Sequence, residues 1–492
     1  MSITPKIINA ELLNSVLVSA KNTVECKLSI SEEEIPAIAY CLAKASLDET
    51  EVLNGEIRYG GRVTFYAILS SGGLKKCEAG VEFSFKQEHQ SAASGDLLSA
   101  TLTVENVRVS SNNGIPTATA VVLLKGTLFK KQPFAYACDI DNFYSKKSQV
   151  ESVTLTGCGK NVFNLEDEFD LDFAVNEVLW HGENLKVKSV TAGIGSVSID
   201  GDAEISIAVL TDDGKLEFTK KEIPFNFEHE LKSVMPSSIA SSFLSVSDAN
   251  LKVVVDSAKT KSSVGVLLKV NACTCAYDNE QLVYLSDAYS QTECLTFEKD
   301  VRPIKKLIAI ERFEKSFNVQ GGIKFEKSTL LLCPLFAKIE ERDITKNSNG
   351  LYLKGVLKIG ALVSNDGVYS LETALLPFET AVDFEETELL SLNVCNFNVT
   401  AVERGVDVEF TLVGWVERSQ TVDCQFIREV SKVKQRKAST SAISVFIPTA
   451  GDLLWDVAKS LGVSEEEVLK TNPDLQFPLS GEERIVIYRE IK

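Results

Sequence analysis

Two cysteines separated by a single residue are the side chains in this sequence whose type and spacing come nearest to chemistry. Cys273 and Cys275 flank Thr274 inside an apolar stretch. Because side chains alternate along a β-strand, both thiols are expected on one face. Two neighbouring thiols can act as a redox pair, whereas a free cysteine in an apolar strand behaves as a small hydrophobe. We interpret the two cysteines as packing residues, and a redox pair is the alternative.

The histidines give no sign of a metal centre. The chain contains three, His89, His181 and His229, and none lies in an HxxxH or CxxC context. Structural and catalytic zinc sites combine such ligands at short, regular spacings. The eleven cysteines are scattered and odd in number, which favours free thiols in a reducing compartment over a disulfide framework. We predict no metal site and no cofactor.

Two further segments resemble binding loops only superficially. Residues 157–161 lack the four-residue gap and the Ser/Thr of a phosphate loop. Residues 165–173 are acidic, but their alternation places Asp170 and Asp172 on the solvent face of a strand, and the glycine of a calcium loop is missing. No Ser/His/Asp set follows from spacing. We therefore predict that the protein is not an enzyme.

The charge balance excludes some classes of partner. Over 492 residues, 51 basic and 69 acidic side chains give a net charge of −18. Nucleic acids and anionic membranes need a concentrated basic surface, so neither is expected as a partner. The N-terminus lacks a basic region followed by an apolar core, and no apolar run approaches the ~18 residues of a membrane span. We expect a cytoplasmic protein without membrane insertion.

One hairpin pattern recurs three times. From Gly201, alternating apolar residues lead to a turn that ends at Gly214, and the returning strand contains an Ile-Pro-Phe element. Proline cannot donate to a strand ladder, so it is expected at a sheet edge or at a strand end. The pattern recurs from Gly355, with a turn at Gly367, and in weaker form, without the proline, from Gly61.

The repeats predict the fold class and the domains. Many short strands joined by Gly, Asn and Asp turns are typical of antiparallel sandwiches or open barrels, and we expect a mainly β protein of separate modules, each with its own core. The first module includes a short helix expected over residues 35–45, after a capping box at Ser31 and Glu34. The predicted divisions are three β modules, a basic flexible linker and a small C-terminal domain: 1–143, 144–297, 298–427, 428–442 and 443–492.

The last fifty residues follow a β-α-α-β order. Residues 445–447 form a strand, and Thr449 to Asp452 cap a helix that runs from Leu453 to Leu461 and ends at Gly462. A second capping box, Ser464 with Glu467, opens a helix that ends before Asn472-Pro473. Residues 485–488 form the closing strand.

This C-terminal pattern resembles the LysM family. The Gly-Asp turn into a helix with Trp455 and Ala458, the Asn-Pro after the second helix and the closing strand all match. The resemblance implies a binding groove between the two strand–helix loops, lined by seven residues: Gly451, Asp452, Leu453, Leu454, Asn472, Pro473 and Leu475. LysM domains generally bind N-acetylglucosamine glycans. Leu453 replaces the usual Thr and adds apolar surface, which favours a protein partner, and residues 480–483 replace the usual Pro-Gly-Gln turn.

The three β repeats resemble the SPOCS domains of spore coat proteins in the Firmicutes, and the first copy is divergent. SPOCS units followed by a LysM domain resemble a clostridial family of spore coat morphogenetic proteins. The resemblance implies a non-catalytic scaffold in the mother cell, at the forespore surface, which docks through its LysM domain onto a SpoIVA-like coat ATPase and contacts other coat proteins. One alternative is a LysM protein that binds the peptidoglycan of the spore cortex or the cell wall, and another is a purely structural coat subunit that assembles with itself.

Overall fold

The computed structural model describes residues 2–30, 38–69, 75–112, 115–257, 260–321, 329–366, 368–402, 405–436 and 442–488. Within these ranges the protein is mainly β, in antiparallel sheets, as predicted. A short N-terminal strand, β1 (Ser2–Ile3), precedes three β units of six strands each, and a small C-terminal unit follows them.

The three units share one strand plan. The strands of unit 1 are β2 (Lys6–Lys27), β3 (Ile38–Leu53), β4 (Glu56–Leu69), β5 (Lys75–Glu88), β6 (Leu97–Asn112) and β7 (Ile115–Asp139). Those of unit 2 are β8 (Tyr144–Leu171), β9 (Val175–Ala192), β10 (Ser196–Thr211), β11 (Leu216–Glu230), β12 (Ile239–Val255) and β13 (Ser262–Tyr289). Those of unit 3 are β14 (Glu293–Gly321), β15 (Thr329–Asn347), β16 (Gly350–Asn365), β17 (Val368–Val382), β18 (Leu389–Val402) and β19 (Gly405–Gln435), with a 3₁₀ turn, Glu386–Glu388, before β18.

The six strands of each unit pair into two sheets of three, and the short β1 adds a fourth strand to one sheet of unit 3. The second, third and fourth strands form one sheet, and the first, sixth and fifth form the other, with the sixth in the middle. Apolar side chains from both sheets make a separate core in each unit. The predicted hairpins at Gly201 and Gly355 are confirmed as β10–β11 and β16–β17, and the fourth strands lie at sheet edges as the proline predicts. The turn expected at residues 71–73 of the first copy and the turn glycine Gly367 of the third lie outside the described residues.

The glycine that starts each hairpin pattern sits where a side chain has no room. Gly201 lies opposite Phe225 in the register of β10 and β11, next to a bulge in the pairing with β9. A Cβ on Gly201 would meet the Lys186 carbonyl oxygen and would lie 2.5 Å from the Phe225 ring. Gly355 has the same relation to Phe378. A neighbouring aromatic ring thus covers the bare backbone of each glycine.

The first and sixth strands of each unit extend beyond their sandwich as two-stranded ribbons. In β13, pairing with β12 stops at Tyr277, and residues 278–289 pair with β8 alone. Ribbon side chains from all three units pack together in one apolar cluster: Phe134, Tyr136, Leu282, Ile304, Cys424 and Phe426. The Phe426 ring lies 4.7 Å from that of Phe134 and 4.6 Å from that of Tyr284.

A second shared cluster joins the other sheets of the three units: Tyr40, Ile68, Leu179, Trp180, Ala208, Cys333, Leu335 and Leu362. The expectation of independent modules is therefore wrong in this respect. Each unit has its own core, but the units also bury apolar surface against one another at shared clusters. The strands are accordingly longer than a small sandwich needs.

The predicted linker is a strand over most of its length. Strand β19 continues to Gln435 and pairs with β14, so residues 428–435 are not flexible; residues 437–441 lie outside the described residues. Strand β1 also pairs with this end of β19, through Ser2–Ser431 and Ile3–Val430. This ribbon is buried on one face, and Val430 lies on that face. A basic, polar sequence is therefore compatible with a paired strand here.

The helix predicted over residues 35–45 is also wrong where the chain is described. Residues 38–45 belong to β3 and pair with β4, and Tyr40 is buried in the second shared cluster. Residues 31–37, with the capping box, lie outside the described residues. The Ala, Leu and Lys content favours a helix locally, but ladder pairing and burial of alternate side chains decide the outcome.

A buried ion pair lies between units 1 and 2. Lys44 Nζ lies 2.8 Å from Glu183 Oε2 and 3.1 Å from His181 Nδ1, and the His181 ring also contacts Glu183. The Glu183 side chain is 4% exposed. Burial alone would raise the pKa of this carboxyl, but the Lys44 charge and the His181 contact outweigh burial and lower the pKa to about 2.

We expect Gly201→Ala to lower the free energy of unfolding by roughly 1–3 kcal/mol, because the new methyl group overpacks the Lys186 carbonyl and the Phe225 ring. Denaturant unfolding measures this change. Gly265→Ala is the matched control, since the nearest atom to its Cβ is the Lys252 carbonyl oxygen at 3.7 Å, an ordinary contact. Equal effects of the two substitutions would contradict the close-approach argument.

We expect the Glu183 carboxylate to make the stability of the fold depend on pH in the acid range. The folded pKa of about 2 lies below the ordinary value of 4.5, so the contribution is complete above pH ~4.5 and is lost as the pH falls towards 2. In Glu183→Gln the melting temperature should be lower at neutral pH and should fall less steeply between pH 5 and about 2. Glu166→Gln, at an exposed position, should follow the unmodified protein; parallel curves for all three would refute the assignment.

Candidate functional site

The C-terminal unit has the predicted β-α-α-β order. It consists of β20 (Ile443–Phe446), α1 (Leu454–Leu461), α2 (Glu465–Thr471) and β21 (Ile485–Tyr488), and β20 pairs antiparallel with β21. The predicted capping box is confirmed: the Ser464 hydroxyl accepts from the Glu467 N–H, and the Glu467 carboxylate accepts from the Ser464 N–H. Gly462 ends α1 at a φ of 68°, a conformation that glycine adopts readily.

Neither helix among the described residues has the length and apolar character needed to cross a lipid bilayer.

The loop before α1 is joined to the loop after α2 by two backbone hydrogen bonds. The Gly451 N–H donates to the Leu479 carbonyl (2.8 Å), and the Leu479 N–H donates to the Asp452 carbonyl (2.9 Å). Gly451 has a φ of 96°, which a larger residue would rarely adopt. Leu479 is buried and was not among the residues named from the sequence. The two loops of the proposed groove are therefore linked, through a residue that the sequence pattern did not reveal.

Leu453 occupies the N-cap position of α1, but its side chain cannot accept the hydrogen bond that an N-cap residue usually accepts. A leucine side chain has no acceptor for the orphan N–H groups of the first turn. Asp456 completes only the reciprocal half of a capping box, since its carboxylate accepts from the Leu453 N–H at 3.0 Å. Leu453 is 43% exposed. This position thus presents apolar surface where a hydroxyl would have stabilised the helix.

The amide of Asn472 is fully engaged inside the domain. Its Nδ2 donates to the carbonyls of Val468 (3.0 Å) and Val486 (2.8 Å), and its Oδ1 accepts from the Val486 N–H at 2.9 Å. The side chain therefore ties the end of α2 to strand β21. Asn472 lies in the predicted position, but its amide serves the fold.

The remaining predicted groove residues divide by exposure. Pro473 is exposed, whereas Leu454 and Leu475 are half-buried against the core of the C-terminal unit. The Asp452 carboxylate accepts from the Thr449 N–H at 2.8 Å and so closes its own loop. Of the seven predicted residues, Gly451, Leu453 and Pro473 are exposed, and the side chains of Asp452 and Asn472 bond to the unit's own backbone.

The turn at residues 480–483 is held by its own carboxylate. The N–H groups of Ser480 and Gly481 donate to Glu483, each at 2.9 Å, and these bonds lower the pKa of this carboxyl to about 2. This turn stands where the LysM pattern has Pro-Gly-Gln. The Glu483 carboxylate thus also bonds to the backbone of its own unit.

The C-terminal unit docks on the end of the unit 2 ribbon. The Trp455 Nε1–H donates to Asp287 at 2.8 Å, and the Lys459 amine donates to the same carboxylate at 2.6 Å. The Trp455 ring meets the Tyr289 ring edge-on at 4.9 Å, and the Tyr289 hydroxyl donates to the Val463 carbonyl at 2.7 Å. Trp455 is buried in the core of its own unit, and it also forms the contact with the ribbon.

Arg436 adds a second connection. Its guanidinium donates to the carbonyls of Lys459 (2.7 Å) and Ser460 (2.8 Å) at the C-terminal end of α1, and to the Ser290 carbonyl at 3.2 Å. A cation at a helix C-terminus meets the negative end of the helix dipole. Nothing in the local sequence pattern pairs Asp287, Tyr289 or Arg436 with the helix, because these contacts span long separations in the chain.

No protein-family model matches this chain, and no match is found among curated proteins or solved structures.

We expect Asp287→Ala to loosen the docked C-terminal unit. Loss of the bonds from Trp455 and Lys459 should cost about 2 kcal/mol of docking free energy, which is roughly a 30-fold increase in the exchange rate of those α1 amides whose protection depends on docking. Hydrogen exchange measured by mass spectrometry tests this. Asp172→Ala is the control, because Asp172 is 96% exposed and holds only a surface ion pair with Lys261. Unchanged exchange in residues 454–463 of Asp287→Ala would refute the docking role.

Proposed function

We propose that this chain is a non-catalytic scaffold of spore coat assembly whose C-terminal unit docks onto a SpoIVA-like coat ATPase at the forespore surface. The proposal rests on the resemblance of the repeats to SPOCS domains and of the C-terminal unit to LysM domains. On this proposal the protein works in the cytoplasm of the mother cell, and its three β units contact other coat proteins.

The observation that carries the proposal is the exposed Leu453 beside loops in which three polar side chains are already engaged. The Asp452, Asn472 and Glu483 side chains all bond to backbone of the same unit. A glycan is held by directed hydrogen bonds from side chains and backbone of the site. A protein interface, in contrast, is centred on buried apolar contacts. This surface supports a protein partner better than a sugar.

The way the C-terminal unit is mounted also supports a scaffold. Contacts from Trp455 and Lys459 to Asp287 fix α1 on the ribbon, and Leu453 lies at the N-terminal end of the same helix. A docking surface held in one orientation loses less freedom when it binds. The C-terminal unit and the three β units would then present their contact surfaces in a fixed geometry.

We expect Leu453→Asp, in the full chain, to weaken binding to the SpoIVA-like ATPase by about 10–100-fold, since burial of a leucine contributes roughly 1.5–3 kcal/mol. Aspartate is a favoured N-cap residue, so the substitution should preserve or raise the melting temperature of the protein. Biolayer interferometry with the immobilised ATPase measures the affinity, and circular dichroism checks the fold.

Leu469→Glu is the matched control, because Leu469 is an exposed leucine on α2 of the same unit and the change in charge is equal. It should bind normally. Purified peptidoglycan serves as the second target. Saturable binding to peptidoglycan without binding to the ATPase would overturn the proposal and favour a wall-binding or cortex-binding protein.

A further inference from the structure

Three cysteines converge on one face of the second sheet of unit 2. Cys158 of β8 lies directly opposite Cys275 of β13, and Cys273 precedes Cys275 by two residues and so shares its face. The Cys158 and Cys275 sulfurs are 2.9 Å apart, and all three Sγ atoms lie within 4.8 Å of one another. Cys158 is 115 residues or more from the other two in the sequence, so only the fold brings the trio together.

The cluster is shielded but reachable. Cys275 is 1% exposed and Cys273 is 8% exposed, while Cys158 is half-buried. Cys158 and Cys273 line a cleft of about 270 Å³ between units 1 and 2, which Asp96 and Lys160 also line. A small ion could enter from this cleft, and the buried thiols would hold it away from bulk solvent.

We propose that Cys158, Cys273 and Cys275 form a three-thiolate Zn²⁺ site, with solvent in the cleft as the fourth ligand. Zinc binds thiolate sulfur at about 2.3 Å in tetrahedral geometry, so its sulfur ligands lie about 3.8 Å apart. The Cys158–Cys275 separation is shorter than this value, Cys273 Sγ lies within 4.8 Å of both sulfurs, and small side-chain rotations would bring the three thiolates to the zinc spacing. Three thiolates and one divalent cation leave one negative charge, and the Lys160 amine lies on the same face of β8 to balance it.

The trio differs from the buried cysteines that only pack. Cys333, for example, lies among aliphatic and aromatic side chains in the second shared cluster. Among the described residues, the trio is the one group of three or more metal-ligating side chains whose ligand atoms meet within this distance. Bound zinc would join the first and sixth strands of unit 2 beside the contact with unit 1. This inference does not depend on the proposed coat function.

We expect the reduced, chelator-treated full chain to bind one equivalent of Zn²⁺, measured by competition with a chromophoric chelator, and to melt at a higher temperature when zinc is bound. Cys273→Ala should weaken zinc binding by more than 100-fold, since loss of a ligand exceeds the 10–100-fold effect of outer-shell changes. Cys333→Ala, which removes a buried cysteine outside the trio, should bind zinc as the unmodified protein does.

A measurement on the unmodified chain avoids any effect of the substitutions on folding. Zinc should slow alkylation of Cys158, Cys273 and Cys275 by iodoacetamide, with little effect on the other cysteines, as mapped by mass spectrometry. The proposal is overturned if the reduced chain takes up no zinc, or if alkylation of the trio is unaffected. A Cys158–Cys275 disulfide, in a chain that binds no zinc once reduced, would instead identify a redox pair.

Discussion

The architecture depends on the need of three two-stranded ribbons to bury their apolar faces. A two-stranded ribbon is marginal in water by itself, and each unit of this protein extends one beyond its sandwich. Packing of Phe134, Leu282 and Phe426 in a common cluster buries apolar side chains of all three ribbons. The long first and sixth strands follow from this requirement, because a strand must pass from its own core to the shared one. Separate beads on a string would leave those faces in water.

The position of the C-terminal unit follows from the same ribbons. Tyr289 is the last residue of β13, and the ribbon beneath it is held by the other two units, so the tyrosine offers a fixed platform for Trp455. Asp287, two residues earlier, sets the rotation of α1 through Trp455 and Lys459. The orientation of the Leu453 loop is therefore determined by packing far from it in sequence. The small C-terminal unit is therefore packed against the unit 2 ribbon as part of the larger structure.

Features governed by local rules could be predicted from the sequence, and features governed by distant packing could not. The hairpin after Gly201, the capping box at Ser464 and the end of α1 at Gly462 depend on residues within a few positions of one another. The strand over residues 428–435 could not be recognised, because its partner lies more than a hundred residues away in β14. The sequence did not group Cys158 with Cys273 and Cys275 for the same reason. The strand pairing that places Cys158 opposite Cys275 joins residues that are far apart in the chain.

Leu453 shows how a local conflict can point to function. At an N-cap, Ser, Thr or Asp would supply an acceptor and stabilise the helix by about 1 kcal/mol relative to an apolar residue. Here Asp456 supplies its half of the capping box, yet the residue that should reciprocate is an exposed leucine. Sequences tend to violate a local rule where a site needs something other than stability. On the proposed docking function, the apolar side chain serves a contact with a partner protein, and the amide of Asn472 and the carboxylate of Asp452, which bond within the unit, do not compete for that contact.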